Sequence, residues 1–336
     1  MNRQRVRLID VAEAAGVSRA TASRVLSGAP RKVDPALAER VWTVARRIGY
    51  RPHLSARALR TGQTGTLGIV VPTLTNPYFV ALAEAFARQA RDRGADLLIA
   101  DSRNDVESEV THLRRLADGR VDAIAIVPVS YEGSGAAIDE TRDAVPLVQV
   151  DRNTRAGNTA AVVLDNVTGI RLLLDHLHTA GRDRIAYVGA ETASSSGAER
   201  LAAFSDTAGE ESPTTVVSDF STSAGREAAR HLLDSPLDID AIVCGADVLA
   251  VGVHSTLQRS GVSLPQDIAL VSFDDSELLE LTDPPITSLR PPVEEIARRT
   301  LELLMGAGED WREPHVERLE PGLVVRESTQ GHPDRR

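Results

Sequence analysis

Arg19 and Arg24 stand five residues apart in a segment whose apolar residues Ala22, Val25 and Leu26 share one helical face. Arg19, Ala20, Ser23 and Arg24 therefore come together on the opposite face. A short-chained, basic face of this kind suits the major groove of duplex DNA. Paired guanidinium donors match guanine O6 and N7, and a small side chain such as Ala20 contacts a thymine methyl. Thr21 and Ser23 suit phosphate contacts, which set orientation without reading bases. Ser18 is a good cap for the same helix and completes this surface. Upstream, Arg3, Arg5 and Arg7 either reach phosphates or form a solvated arm.

Three short helices are expected to carry this face. The first places Leu8, Val11, Ala12 and Ala15 on one buried stripe. Gly16 ends it, because glycine accepts the left-handed backbone of a tight interhelical turn, and Val17 plugs the core behind that turn. The third helix opens with Asp34 as cap and Pro35 in the first turn, buries Leu37, Val41, Ala45 and Ile48, and stops at Gly49. The outline is helix-turn-helix. Charge agrees with it. The net charge of −10 conceals a basic head, since residues 1–60 hold 13 Lys and Arg against 4 Asp and Glu, while the remainder is acidic.

From Leu67 onward, short β-rich apolar runs alternate with amphipathic helical stretches. The expected strands are 67–71, 96–100, 123–127, 147–150, 161–164, 184–188, 215–217, 241–243 and 268–272. Such alternation implies parallel sheets covered by helices. Two sheets of about five to six strands fit better than one very large sheet, with a boundary expected near residue 160. Pro-rich segments at 283–288 and 290–292 suggest that the chain crosses back to the first lobe and adds a helix over 293–305.

Composition narrows the chemistry. A chain of 336 residues, 42% hydrophobic, can bury a sizeable core. Its apolar runs fall short of a membrane span and the first residues lack the apolar stretch of a signal peptide, so a cytoplasmic protein without membrane contact is expected. The single cysteine, Cys244, excludes a disulfide framework and a multi-cysteine zinc site. His176 and His178 point to different faces of a helix and make a poor metal pair. Ser194–Ser196 lack a nucleophile-elbow context, and no GxxxxGK phosphate loop appears. The expectation is a non-enzyme with no catalytic residue, cofactor or metal. The rival is a sugar-modifying enzyme fused to a DNA-binding head.

The segments LIDVAEAAGVSRATASRVLSG at 8–28 and IGYRPHLSARAL at 48–59 strongly resemble the lactose-repressor (LacI/GalR) family of bacterial transcription regulators. Further similar pieces are GIVVPTLTNPYF at 68–79, GRVDAIAIVP at 119–128, VQVDR at 148–152, DN at 165–166, RLAAF at 200–204 and LPQDIALVSFDD at 264–275. The resemblance implies an all-α helix-turn-helix head over 1–52, a hinge helix over 53–62 and a two-lobed α/β periplasmic-binding-protein-like core with parallel sheets over 63–336. Its first lobe would comprise about 63–160 and 290–321, its second about 161–289 and 322–336. It further implies a homodimer that binds a palindromic operator in double-stranded DNA and responds to a small-molecule effector, a carbohydrate by preference. Repression is the expected outcome. Activation stays open, because operator position decides it.

The segment 54–60 is too short to hold a helix alone in water and should order only with a partner. By resemblance, two such hinges pair in the minor groove through Ala56, and Leu59 wedges into a base step. His53 stands where the family commonly has Asn and is the poorer cap. In open α/β sheets ligands sit beyond the carboxyl ends of strands. The family-matching residues that fall there are Asn76, Tyr78, Phe79, Asp101, Asp151, Arg152 and Asp274, with Asn166, Arg200, Phe220 and Asp247 matching effector positions of the second lobe. Phe79 and Phe273 serve a core equally well, and Asp165 with Asn166 equally caps a helix. Two departures bear on the ligand. Ala246 replaces the usual amide before Asp247, and the stretch between Phe204 and Phe220 is short for the family. The second lobe therefore takes an atypical effector or none.

Overall fold

The computed structural model describes residues 6–26, 33–50, 63–156, 159–190, 193–209, 212–234, 238–306, 308 and 310–330. The expected hinge, 53–62, with His53, Ala56 and Leu59, lies outside the described residues, as do Arg3 and Arg5. Two compact units divide the chain, Met1–Gly65 and Thr66–Arg336.

In the first unit, α1 (Leu8–Ala15) ends at Gly16, whose φ of 65° lets the Gly16 and Val17 amides turn back to the Glu13 and Ala12 carbonyls. Ser18 then starts α2 (Arg19–Leu26), its Oγ accepting from the Thr21 amide at 3.0 Å. α3 (Pro35–Ile48) starts on Asp34, whose Oδ1 accepts from the Leu37 amide at 3.1 Å. Val11, Ala12, Ala15, Ala22, Val25, Leu26, Val41, Val44 and Ala45 form the shared core. Leu37, expected inside, is only half-buried, and Val44 takes an inward place instead.

The second unit begins with β1 (Thr66–Val71), α4 (Pro77–Asp92), β2 (Asp96–Asp101), α5 (Val106–Ala117), β3 (Ala123–Ile126), α6 (Gly135–Arg142), β4 (Leu147–Asp151) and β5 (Ala161–Leu164). It continues with α7 (Asn166–Thr179), β6 (Ile185–Ala190), α8 (Ser195–Ala208), β7 (Thr214–Val217), α9 (Thr222–Asp234), β8 (Ala241–Cys244), α10 (Asp247–Arg259), β9 (Ala269–Phe273) and β10 (Thr287–Arg290). α11 (Val293–Met305), β11 (Val316–Leu319) and β12 (Gly322–Val324) close it. Two six-stranded sheets result, ordered β11-β5-β4-β3-β1-β2 and β12-β10-β9-β8-β6-β7. All described pairings are parallel except β10 with β12. That is the two-lobed, parallel-sheet architecture expected from the alternating pattern.

Four strand assignments differ from expectation: the sheet that takes β5, and β10, β11 and β12, which the apolar-run pattern does not mark as strands. β5 belongs to the first sheet, pairing Gln149 with Ala161 on one side and Val316 with Ala161 on the other, so the boundary expected near residue 160 falls one strand too early. The run Ala161–Leu164 is apolar and fully buried, and such a strand fits either lobe until its partners are known. β10 falls where the sequence marks only a Pro-rich crossing. Its Thr287 and Ser288 are polar yet buried and satisfied: Ser328 Oγ accepts from the Thr287 amide at 2.9 Å, the Thr287 and Thr329 hydroxyls lie 2.8 Å apart, and Ser288 Oγ donates to Asp247 Oδ1 at 3.2 Å. After β10 the chain passes Pro291 and Pro292 into α11, whose Ile296, Ala297, Leu301 and Leu304 join the core of the first sheet.

Parallel strands carry their functional loops at one end. Here the carboxyl ends of β1, β2 and β4 in one sheet, and of β6, β8 and β9 in the other, lead into the helices and turns that supply the site.

Candidate functional site

On α2, Arg19, Ala20 and Arg24 are exposed, whereas Thr21 and Ser23 are half-buried. Burial of Ala22, Val25 and Leu26 sets this rotation, so the basic face of the helix points to solvent. Ser18 and Thr21 are engaged with each other, their hydroxyls 2.9 Å apart, and Ser18 acts as the cap of the helix.

In the second unit, ten residues from both sheets line one cavity: Asn76, Tyr78, Phe79, Asp151, Arg152, Ser196, Arg200, Phe220, Ala246 and Asp274. Eight of these were singled out in the sequence. Ala246 is the position where the sequence departs from the usual amide, and Ser196, weighed in the sequence only as a nucleophile, joins the cavity wall. Local structure positions each group. Asn76 caps α4, its Oδ1 accepting from the Tyr78 amide at 3.0 Å, which turns Tyr78 inward. Tyr78 then donates its hydroxyl to Asp151 Oδ1 at 2.7 Å. Asp151 has φ 61°, and Asp274 and Asp275 have φ 99° and 52°. Non-glycine residues seldom adopt these values, and Asp is among those that best tolerate them. The carboxylates at the ends of β4 and β9 thus sit in costly backbone conformations, a common feature of binding sites.

The cavity itself measures about 10 Å³, room for one water-sized group. Arg152 and Arg200 both line it. Arg200, only 5% exposed, donates from Nε to Asn166 Oδ1 at 2.8 Å and from Nη1 to the Gly245 carbonyl at 2.6 Å, and its guanidinium stacks 4.2 Å from the Phe273 ring. Arg152 lies 5.4 Å from the Phe79 ring centre. Beside this cavity a chamber of about 280 Å³ opens past Arg152 and Phe220, lined by Asn104, Ser130, Ser194 and Ser218 among others. Ligand sites usually offer about 300–1,000 Å³, so an occupant must extend beyond this cavity, into the chamber, into a pocket of about 500 Å³ that shares Tyr78 and Asp274 with it, or by parting the lobes.

Three expected effector residues do not line the cavity. Asp101 turns away, its Oδ1 accepting from the Arg103 amide at 2.8 Å to cap the bend after β2. Asn166 stands behind Arg200 and orients it, donating its amide to Glu199 at 2.8 Å. Asp247 is fully buried among hydroxyls, with Oδ1 accepting from Ser272 at 2.8 Å and Ser288 at 3.2 Å, and Oδ2 from the Ser276 amide at 2.5 Å. It braces the turn that carries Asp274. Phe273 also belongs to the core of the second sheet and offers its ring to Arg200 alone among these groups. Asp165 caps α7, accepting from the Thr168 amide at 3.0 Å.

Burial dominates the electrostatics. It pushes the Tyr78 hydroxyl well above its ordinary range, and the neighbouring Asp151 charge adds to the effect. Burial likewise raises Asp274, opposed by Arg200, and raises Asp247, with Asp274 adding to the shift. Arg152 is lowered by the same loss of water, partly offset by Asp151. The arrangement places hydrogen-bond acceptors, fixed cations and aromatic faces around one small volume, which suits binding of a polar ligand.

Residues 7–53 match the bacterial regulatory proteins of the lacI family, and residues 174–329 match the periplasmic binding protein-like domain. The HTH-type transcriptional regulator PtxS of Pseudomonas putida is 31% identical over 332 residues, covering 98% of this chain and 97% of that protein. Among solved structures, the lac repressor dimer bound to operator and the anti-inducer ONPF superposes with a TM-score of 0.87 at 24% identity, over 98% of this chain and all of that one. A CelR–cellobiose complex gives 0.70 at 28% identity, over 96% of this chain and all of that one. Taken with the exposed basic helix and the two-sheet cleft, these similarities show that the chain belongs to the lacI family of bacterial regulatory proteins and is a DNA-binding regulator of transcription.

Proposed function

We propose that the protein is a homodimeric repressor whose α2 helices read the two halves of a palindromic operator and whose grip is set by a small carbohydrate-like effector held between the two sheets. The observation that carries this reading is the convergence of Tyr78, Asp151 and Arg152 from the first sheet with Arg200, Phe220 and Asp274 from the second around one cavity. A ligand that touches both lobes favours one lobe arrangement over another, and its differential affinity is what shifts the population. The hinge segment 53–62, with Ala56 and Leu59 in the minor groove, is the element through which lobe arrangement would reach the DNA. Support for a dimer on operator comes from the lac repressor structure, and for a sugar from the CelR–cellobiose complex. The reading includes binding and no catalytic step.

Arg19 and Arg24 would supply base contacts and Ala20 a thymine-methyl contact, with Ser18, Thr21 and Ser23 along the phosphates. In the cleft, Arg200 and Asp274 would supply the donor and acceptor that orient the ligand. The test is operator affinity of the full chain, measured by fluorescence anisotropy on a duplex obtained by in vitro selection, with and without a panel of mono- and disaccharides. Arg200→Ala should keep operator affinity and lose the ligand response. A variant that responds as well as the parent would overturn the assignment of the cleft.

A further inference from the structure

Arg152 is 6% exposed, yet its Nε has no hydrogen-bond partner among the described residues. The nearest carboxylate oxygen, Oδ2 of Asp151, stands 3.8 Å from Nε, and Oδ1 of that carboxylate is taken by Tyr78. Arg200, by contrast, is anchored by Asn166 and the Gly245 carbonyl. A buried guanidinium with unused donors is costly, and the cost falls when an acceptor reaches it.

The nearby carboxylates are not equivalent to that charge. Arginine keeps its proton in proteins, whereas a carboxylate can shed its charge by taking one up. Asp247 and Glu109 are buried and Asp274 is half-buried, and the loss of water moves each toward its neutral form. Asp219 lies on the chamber rim, exposed to screening water.

A helix end adds to the charge of Arg152. Arg152 lines both the small cavity and the 280 Å³ chamber, and the chamber is also lined by Ala193 and Ser194, at the N-terminus of the 14-residue α8. The N-terminus of α5, reached through Asn104 and Val106, is already occupied by the Asp105 carboxylate, which accepts from the Ser108 amide at 2.7 Å, so only the α8 end is open to an anion. Helix N-termini carry partial positive charge and backbone donors suited to anions.

We propose that the effector is a polyhydroxylated carbon chain bearing one anionic group, a carboxylate or a phosphate, and that this group sits on Arg152 in the chamber, at the N-terminus of α8. The inference rests on the reading of the cleft as the effector site. A guanidinium fork matches either oxyanion.

The test is thermal stabilisation and operator release of the full chain with matched probes: D-gluconate against D-sorbitol, D-glucuronate against D-glucose, and D-glucose 6-phosphate against D-glucose. The acid member of at least one pair should act at an about tenfold lower concentration than its neutral partner. The responding pair tells carboxylate from phosphate. Arg152→Gln should abolish the preference, and Arg152→Lys, which keeps the charge, should restore part of it. The parent comparison stands even where a variant folds poorly. Equal or stronger action of the neutral members overturns the anionic seat and leaves the effector cleft intact. No response to any probe overturns both.

Discussion

Arg200 donates from Nε to Asn166 Oδ1 at 2.8 Å, and Asn166 passes the contact on, donating from Nδ2 to Glu199 at 2.8 Å. Glu199 on α8 in turn accepts from Arg318 on β11 at 2.8 Å. A side chain of the first sheet is thereby tied, through two intermediates, to the guanidinium at the centre of the cleft. Asn166→Ala should leave Arg200 buried with one acceptor missing, a loss of about 1–3 kcal/mol. The expected result is ligand affinity reduced by about ten- to a hundredfold with operator affinity of the ligand-free protein unchanged. Isothermal titration and anisotropy on the same preparations check both halves.

The exposed face of α2 makes a different forecast. Arg19→Ala or Arg24→Ala should each cost about 1–3 kcal/mol of operator binding and relax the base preference at one position of each half-site. Ser23→Ala should weaken all sequences alike and flatten the salt dependence, as expected for a phosphate contact. Selection from a random duplex pool, repeated for each variant, separates the two outcomes.

The buried carboxylates give the protein a pH dependence of known sign. Asp247 and Asp274 have folded-state values raised above the unfolded carboxylate value of about 4. Their stability contribution is therefore fully present below that value and is lost as pH rises through the folded values. Asp247→Asn removes one of these titrations. The difference in urea midpoint between this variant and the parent should move in favour of the variant as pH is raised from about 4 toward neutrality. A difference independent of pH would refute the assignment.

Packing of α9 on α10 depends on two glycines that face each other. A Cβ at Gly225 would lie 2.3 Å from the Leu249 carbonyl oxygen, and one at Gly252 would lie 2.3 Å from the Thr222 carbonyl oxygen. Backbone atoms cannot yield as a flexible side chain would. Gly225→Ala and Gly252→Ala should each destabilise the second lobe by about 1–3 kcal/mol. The double variant should cost less than their sum, because one helix displacement relieves both clashes. Differential scanning calorimetry reads all three.

Much of this protein is written in short-range pattern. The spacing of Ala22, Val25 and Leu26, the glycine at position 16 and the caps at Ser18 and Asp34 are local features, and they suffice for a helix-turn-helix head with Arg19 and Arg24 outward. The alternation of apolar runs and amphipathic helices likewise yields two parallel sheets, and the loops after their strands yield Asn76, Tyr78, Asp151 and Asp274. Tertiary structure decided the rest. Ala161–Leu164 has no preference for one sheet over the other until β4 and β11 pair with it, and Thr287–Arg290 becomes a strand by pairing with β9 and β12, with Ser328, Thr329 and Asp247 satisfying its buried polar groups. Whether a polar residue meets a ligand is also a long-range matter. Asn166 and Asp247 carry the right groups but spend them on Arg200 and on three serines, whereas Arg152 is left with donors to spare. Periodicity and capping act within a few residues and can be read from the chain. Strand pairing and the choice of hydrogen-bond partner depend on groups distant in sequence, and only folding brings those together.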